Sequence, residues 1–359
     1  MTNKGSRPIE FRSGLLGWYR ARRRKLPWRG TKDPYKLWVS EIMLQQTTVQ
    51  AVIPYYERWM TLFPDAASLA RAPLRKVLKA WQGLGYYRRA QNLRVAAKII
   101  VNNYGGRVPA DFEEISKLPG VGPYTAAAVL SIAFDKPYPV VDANVRRLMM
   151  RVLAIRGEAV PKHDAAILEF LKPVISKRSP GAFNQALMEV GGRICKPRNP
   201  LCPRCPARPA CSAYREGLQE VIPRPRKMAR PKRIEAVVAV IERDGRFLIR
   251  KRPEPGLLGG LWEFPGGKRK PRESRVAALR RELREEVGAP TRDEKFLAKV
   301  RHAYTTFEVD LYAYRCRLEG EPDPSRGRLK WVTSKGLRYY PFPSGSAKII
   351  RRIEEGNVA

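Results

Sequence analysis

The hydrophobic positions of this chain change their spacing once. Residues 8–24, 35–47, 49–63, 67–82, 86–104, 111–117, 125–134, 142–153, 163–175 and 181–194 place apolar side chains at helical intervals. Short Pro or Gly turns join them, such as Phe63-Pro64-Asp65 and Gly83-Leu84-Gly85. Asp33-Pro34 supplies a capping acid and a first-turn proline for the second helix. No strand signal occurs before residue 234. From there EAVVAVIERDGRFLIRKR predicts a strand, an Asp-Gly turn and a second strand. A helix follows over 273–287, two strands within 295–318, a short strand over 329–332 and a terminal helix over 346–355. The pattern predicts a multidomain chain, an all-α half followed by an α+β domain. Its expected boundaries are 1–212 for the helical domain, 213–233 for a linker and 234–359 for the second domain. The stretch RPRKMARPKR at 224–233 holds six basic residues and no acid, an extended charged connector.

Charge then adds a partner. Lys and Arg number 70 against 34 Asp and Glu, a formal net charge of +36. An excess this one-sided points to a polyanion, most often nucleic acid. A hydrophobic content of 43% excludes wholesale disorder. No apolar run reaches membrane-spanning length, and the first residues lack a signal-peptide core, so a cytoplasmic, nucleoid-associated protein without membrane contact is expected.

Three constellations carry candidate chemistry. Leu118–Arg147 reads as helix, glycine turn, helix and a proline-stiffened loop delivering Asp142 to a helix start. The turn Gly120-Val121-Gly122, with Thr125 behind it, aims backbone N–H groups outward and suits either a DNA phosphate or an ordinary helical hairpin. Glu41 lies in the apolar helix YKLWVSEIMLQQT, where a carboxylate is costly unless paired or functional. Cys195, Cys202, Cys205 and Cys211 follow a C-x6-C-x2-C-x5-C spacing, which suits zinc or an iron–sulfur cluster. Cys316 reads as a packed thiol, and His163 as a surface helix residue.

Hairpin, following aspartate and cysteine spacing together resemble the endonuclease III-like branch of helix-hairpin-helix DNA glycosylases. Leu44-Gln45-Gln46-Thr47 and Gly83-Leu84-Gly85-Tyr86-Tyr87 extend the likeness. The resemblance implies a [4Fe–4S] cluster on the four cysteines. Lyase-competent members carry a lysine two residues after the last turn glycine. Here that position is Tyr124, so hydrolysis without strand cleavage is expected. The context of Glu41 resembles the adenine-specific, A/G-mismatch branch, whose substrate is double-stranded DNA with A opposite 8-oxoguanine or guanine. On that resemblance Glu41 is the acid and Asp142 the carboxylate, with Tyr124 and Asn144 supporting them. Trp28, Arg29, Leu44 and Gln185 line the adenine pocket, and Gln46, Thr47 and Tyr86 meet DNA. A monomer is expected.

The last domain resembles the Nudix (MutT-like) class. Gly267, Glu273, Arg281, Glu282, Glu285, Glu286 and Gly288 match its box, with Ala289 where a bulkier residue is usual. Glu282, Glu285 and Glu286 share one helix face and form a candidate Mg²⁺ site. The domain is expected to read 8-oxoguanine through Tyr304, Thr305 and Thr306, with triphosphate hydrolysis as the alternative. A pyrimidine- or thymine-mismatch glycosylase of the same superfamily is the alternative for the helical domain.

Overall fold

The computed structural model describes residues 6–225, 231–254, 256, 258–304 and 307–355. The chain divides into two compact units, Met1–Arg71 with Asn92–Met228, and Ala72–Gln91 with Ala229–Ala359. Among the described residues, no helix is long and apolar enough to cross a membrane. Half of the charged connector falls outside them, at 226–230.

The helices run α1 (Ser6–Arg22), α2 (Pro34–Leu44), α3 (Val49–Leu62), α4 (Ala66–Arg71), α5 (Leu74–Trp81), α6 (Arg88–Tyr104), α7 (Phe112–Ser116), α8 (Pro123–Ala133), α9 (Ala143–Val152), α10 (Asp164–Val174), α11 (Pro180–Arg193) and α12 (Ser212–Arg215). The single helix expected over 67–82 is two, α4 and α5, parted at Ala72-Pro73. A proline ring disfavours the helical conformation of the residue before it. Side-chain caps fix the starts. Asp33 accepts from the N–H groups of Tyr35 and Lys36, and Asp111 from those of Glu113 and Glu114. Each such cap contributes about 1 kcal/mol.

One core of the helical unit joins Phe11, Leu15 and Tyr19 of α1 to Leu148, Met149 and Val152 of α9 and Phe183, Leu187 and Val190 of α11. The 4-residue spacing along α1 places its three on one face. Helix α11 is drawn tight by two glycines. A Cβ at Gly181 would fall 2.7 Å from the Ile132 backbone of α8, and one at Gly191 2.8 Å from the Asn144 carbonyl oxygen. Real side chains would force these helices apart, so α11 reaches α8 and the start of α9 only because both positions lack one. Fully buried Asn184 completes the arrangement. Its amide donates to Ser131 Oγ and to the Tyr138 carbonyl, each at 2.8 Å, and its oxygen accepts from Val140 N–H. It thereby fixes the proline loop that leads to Asp142.

In the second unit a mixed sheet runs β3-β2-β1-β6-β5, with β4 paired to β1 and β7 to β2. Its strands are β1 (Lys232–Arg243), β2 (Arg246–Lys251), β3 (Trp262–Glu263), β4 (Gly266–Lys268), β5 (Thr291–Ala303), β6 (Phe307–Leu318) and β7 (Leu329–Thr333). Among the described strands only β1 and β6 pair in parallel. The two shortest strands, β3 and β4, were not legible, because two or three residues show no alternation. Helix α13 (Arg275–Glu286) covers one face of the sheet. Helices α14 (Ser334–Leu337) and α15 (Ser344–Glu354) lie on the other. Ala289 and Cys316 are buried in the core beneath α13, as expected for a packed thiol.

Candidate active site

Glu41 sits on the buried face of α2 with 5% of its surface exposed. Trp38, Val39, Ile42 and Met43 surround it on the chain, all buried. Burial pushes its carboxyl up to about 7, and the negative charge of Asp142 adds to this. The hydrogen bond from Tyr124 and the charge of Arg29 oppose the shift. Tyr124 Oη donates to Glu41 Oε2 at 2.9 Å and lies 3.0 Å from the sulfur of Met188 on α11. The residue expected to support the acid is therefore bonded to it.

Asp142 is the N-cap of α9. One carboxyl oxygen accepts from Val145 N–H at 2.6 Å and the other from Asn144 Nδ2 at 3.1 Å. Arg147 holds Asn144 in turn, donating to its Oδ1 at 3.0 Å, to the Gly191 carbonyl at 2.7 Å and to the Cys195 carbonyl at 2.8 Å. Buried Arg151, one turn on, donates to the carbonyls of Lys196, Pro197 and Ile222 and lies 3.2 Å from Cys195 Sγ. Helix α9 thus carries the aspartate at its start and grips the cysteine loop along its length. All four cysteines line one cavity, together with Arg151, Arg208, Tyr214 and Gln219. Burial pushes the Cys205 thiol up to about 12, so a bound cation is what would make it a thiolate.

Among the expected pocket residues, Trp28 is buried edge-to-face on Tyr56 at 5.3 Å, and Leu44 is half-buried at the end of α2. Arg29 packs over the Tyr19 ring at 5.5 Å, and Tyr19 donates to Gln185 Oε1 at 2.9 Å. Gln46 and Tyr86 are both exposed and both adopt positive φ, 56° and 46°. Such a conformation costs a bulky residue on the order of 1 kcal/mol or more. Thr47 is half-buried and bonds to the Gln45 carbonyl. In the hairpin, Gly120 takes φ 83°, Gly122 caps α8 and Val121 is buried. Thr125, expected among the DNA-binding residues, is turned inward. It is 2% exposed and its hydroxyl accepts from Gln45, because the first turn of α8 rolls it into the core.

Sequence reasoning missed Tyr19 and fully buried Glu189, which binds Arg24, Arg29 and Arg193. The signal was available: Glu189 stands in the apolar run ALMEV, as Glu41 does in its own helix.

The second unit gives one further correction. The Nudix-box carboxylates do not fit a divalent cation. Glu282 accepts from Arg281 at 2.7 Å, and Glu286 from Gly266 N–H at 3.0 Å and from Arg250. Glu285 is 57% exposed, with Arg281 3.6 Å away. Among the described residues, no three Asp, Glu, His or Cys side chains converge on one ion position. Arg281 and Arg250 occupy Glu282 and Glu286, while burial and the neighbouring carboxylates of Glu263 and Glu282 push the Glu286 carboxyl up to about 7. Arg281 also bonds Glu273, tying the box loop to α13. Tyr304 stacks on Phe307 at 4.7 Å and meets His302 edge-on at 4.6 Å in the turn between β5 and β6. Thr305 and Thr306 lie outside the described residues.

A hairpin leading into an aspartate cap, beside a buried glutamic acid, defines a base-excision DNA glycosylase, and the chain matches the HhH-GPD superfamily base excision DNA repair protein over residues 39–173. A NUDIX domain matches over 236–352. The chain belongs to the adenine DNA glycosylase family. It is 34% identical to the adenine DNA glycosylase of Rattus norvegicus, over 96% of this chain and 78% of that protein. It is 38% identical to that of Buchnera aphidicola subsp. Schizaphis graminum, over 71% and 74%. Among solved structures, a thermostable thymine-DNA glycosylase is 32% identical with a TM-score of 0.55, over 59% of this chain and 98% of that one.

Proposed function

We propose that the helical unit removes adenine opposite 8-oxoguanine or guanine in double-stranded DNA, by hydrolysis of the N-glycosidic bond and without lyase chemistry. The observation that carries this reading is Glu41, a carboxyl buried in an apolar wall, bonded by Tyr124 and pushed up to about 7 by that burial. Adenine is a poor leaving group until a ring nitrogen such as N7 is protonated. Glu41 gives that proton. Asp142 offers a carboxylate to the sugar cation that develops at C1′, a division of labour that paired carboxylates perform in sugar cleavage. Tyr124 and Asn144 hold these two groups. Trp28, Arg29, Leu44 and Gln185 take the extruded base. Gln46, Thr47 and Tyr86 contact the duplex, and the Gly120-Val121-Gly122 backbone grips a phosphate. With Tyr124 where an amine would be needed, no Schiff base forms there.

The cysteine loop fits a [4Fe–4S] cluster better than zinc. Four thiols line one cavity, held to α9 by Arg151, and their C-x6-C-x2-C-x5-C spacing is that of the cluster-bearing glycosylases the chain resembles. Cys195, Cys202, Cys205 and Cys211 would each supply one thiolate to the cluster. When bound, it cross-links the loop that Arg147 and Arg151 hold to α9. The NUDIX domain reads 8-oxoguanine through Tyr304, Thr305 and Thr306, with Phe307 beneath the tyrosine. We assign domains at 1–212 and 234–359; of the linker expected at 213–233, residues 213–222 pack on the helical unit through Ala213 and Ile222, so the basic stretch after them is the connector. The protein acts as a monomer in the cytoplasm, held at the nucleoid by its net charge of +36.

The deciding assay is single-turnover excision on duplexes with A opposite 8-oxoguanine, G or T, and with T opposite G. Cleavage of A opposite 8-oxoguanine and G, with no borohydride-trapped complex, is expected. Preferential loss of T from T:G would instead support a thymine glycosylase, the activity named for the solved relative. For the NUDIX domain, release of pyrophosphate or phosphate from 8-oxo-dGTP with Mg²⁺ should stay at the no-enzyme background in wild type and Glu285→Gln alike. Release that depends on Glu285 would establish a second activity.

A further inference from the structure

Glu189 is a carboxylate with no exposed side-chain surface, bound by three arginines from different parts of the helical unit. Arg24 forms two bonds to it, at 2.7 and 3.0 Å. Arg29 donates to it at 2.5 Å, and Arg193, one turn on along α11, at 3.1 Å. Burial alone would push this carboxyl up, but the hydrogen bonds of Arg24 and Arg29 hold it at about 2. A permanently ionised acid buried at this depth is costly unless its partners need it. The partner that matters is Arg29, only 12% exposed in its side chain. Its guanidinium is pinned by Glu189 on one arm and by the Arg24 carbonyl, at 3.2 Å, on another.

The charged and titratable groups around Glu41 are Tyr124 from α8, Asp142 at the start of α9 and Arg29 from the loop after α1. Arg29 is the cation among them, and a cation favours the ionised acid, which cannot donate a proton. Behind Arg29 stand Glu189 and Arg193 of α11, Arg24 and the Tyr19 phenol.

We propose that Glu189 is a positioning residue of the glycosylase site: it holds Arg29 in place and offsets part of its charge, so that Glu41 keeps its proton. This rests on the reading of Glu41 as the general acid. It explains how a base pocket can use an arginine beside an acid that must stay neutral. Glu189 need not touch DNA. It acts through Arg29.

The test is the basic limb of the single-turnover rate against pH, with enzyme in saturating excess over an A:8-oxoguanine duplex. In Glu189→Gln the midpoint should move down by about one pH unit, an ordinary effect of an unopposed neighbouring cation. Excision would then fall about tenfold at pH 8 and little at pH 5.5. Because three unpaired arginines could unfold that variant, two double variants of unchanged net charge carry the decision. Glu189→Gln with Arg24→Gln leaves Arg29 unopposed, and its midpoint should stay low. Glu189→Gln with Arg29→Gln removes the cation, and its midpoint should return to the wild-type value, whatever the loss in absolute rate. Equal midpoints in the two, or a wild-type midpoint in the first, would overturn the inference. Near-native cleavage by Glu41→Gln would instead overturn the general-acid reading itself. A dead Glu41→Gln beside unmoved midpoints would overturn only the role of Glu189.

Discussion

Glu41→Gln should remove base excision while leaving DNA binding in place. A positioned general acid contributes about 10²–10⁴ in rate, and the glutamine retains the size and shape of the side chain but has no proton of suitable acidity. Single-turnover cleavage of an A:8-oxoguanine duplex should fall by that factor, with the dissociation constant for the uncleaved duplex within about threefold of wild type, below 1 kcal/mol. Stability should not fall. The amide can still accept the Tyr124 hydrogen bond, and a neutral group replaces a buried carboxyl that prefers its neutral form. The pH dependence has a definite sign. A carboxyl raised to about 7 by burial is protonated below that pH and loses its proton above it. The wild-type rate should therefore decline as pH rises through 7. Near-native cleavage by Glu41→Gln, or a rate that climbs across that range, would remove Glu41 from the mechanism.

The sequence exposed one half of this site more clearly than the other. Glu41 stood out because a carboxylate inside an apolar helix has few bland explanations. Asp142 stood out because prolines and a helix start made it a cap. Glu189 had the same signature as Glu41, but its partners, Arg24 and Arg29, lie about 160 residues away. Chain order carries no trace of such a pairing. Asn184 is hidden for the same reason: an asparagine in a helix looks neutral until its three partners are seen at 131, 138 and 140. The NUDIX domain shows the opposite failure. The spacing of Glu282, Glu285 and Glu286 put them on one face of α13 and suggested a cation. The counterion proved to be arginine, and Arg250 reaches Glu286 from a strand 36 residues earlier. Periodicity predicts which residues share a face of one element, and is silent on what the next element places opposite.

Asp142→Asn should separate the two duties of that residue. Asparagine caps a helix about as well as aspartate, so the bond from Val145 N–H survives. The second carboxyl oxygen now accepts from the Asn144 amide. An NH₂ in its place would face another NH₂. Asn144 cannot turn over to relieve this without giving up its bond from Arg147. One hydrogen bond is lost, a cost of about 1 kcal/mol, which lowers Tm by about 2–4 °C in a unit of this size. Catalysis should suffer far more. The negative charge that would meet the sugar cation is gone, and removing one preorganised electrostatic group costs about 10²–10³ in rate. Asp142→Ala provides the contrast: it loses charge and cap together, so its Tm should fall further while its rate falls no less. If Asp142→Asn cleaves an A:8-oxoguanine duplex at near the native single-turnover rate, the carboxylate is only a cap. If it is slow and yet melts within a few degrees of wild type, the charge itself is what the reaction uses, and the hairpin, the proline loop and the Asn184 clamp exist to place it.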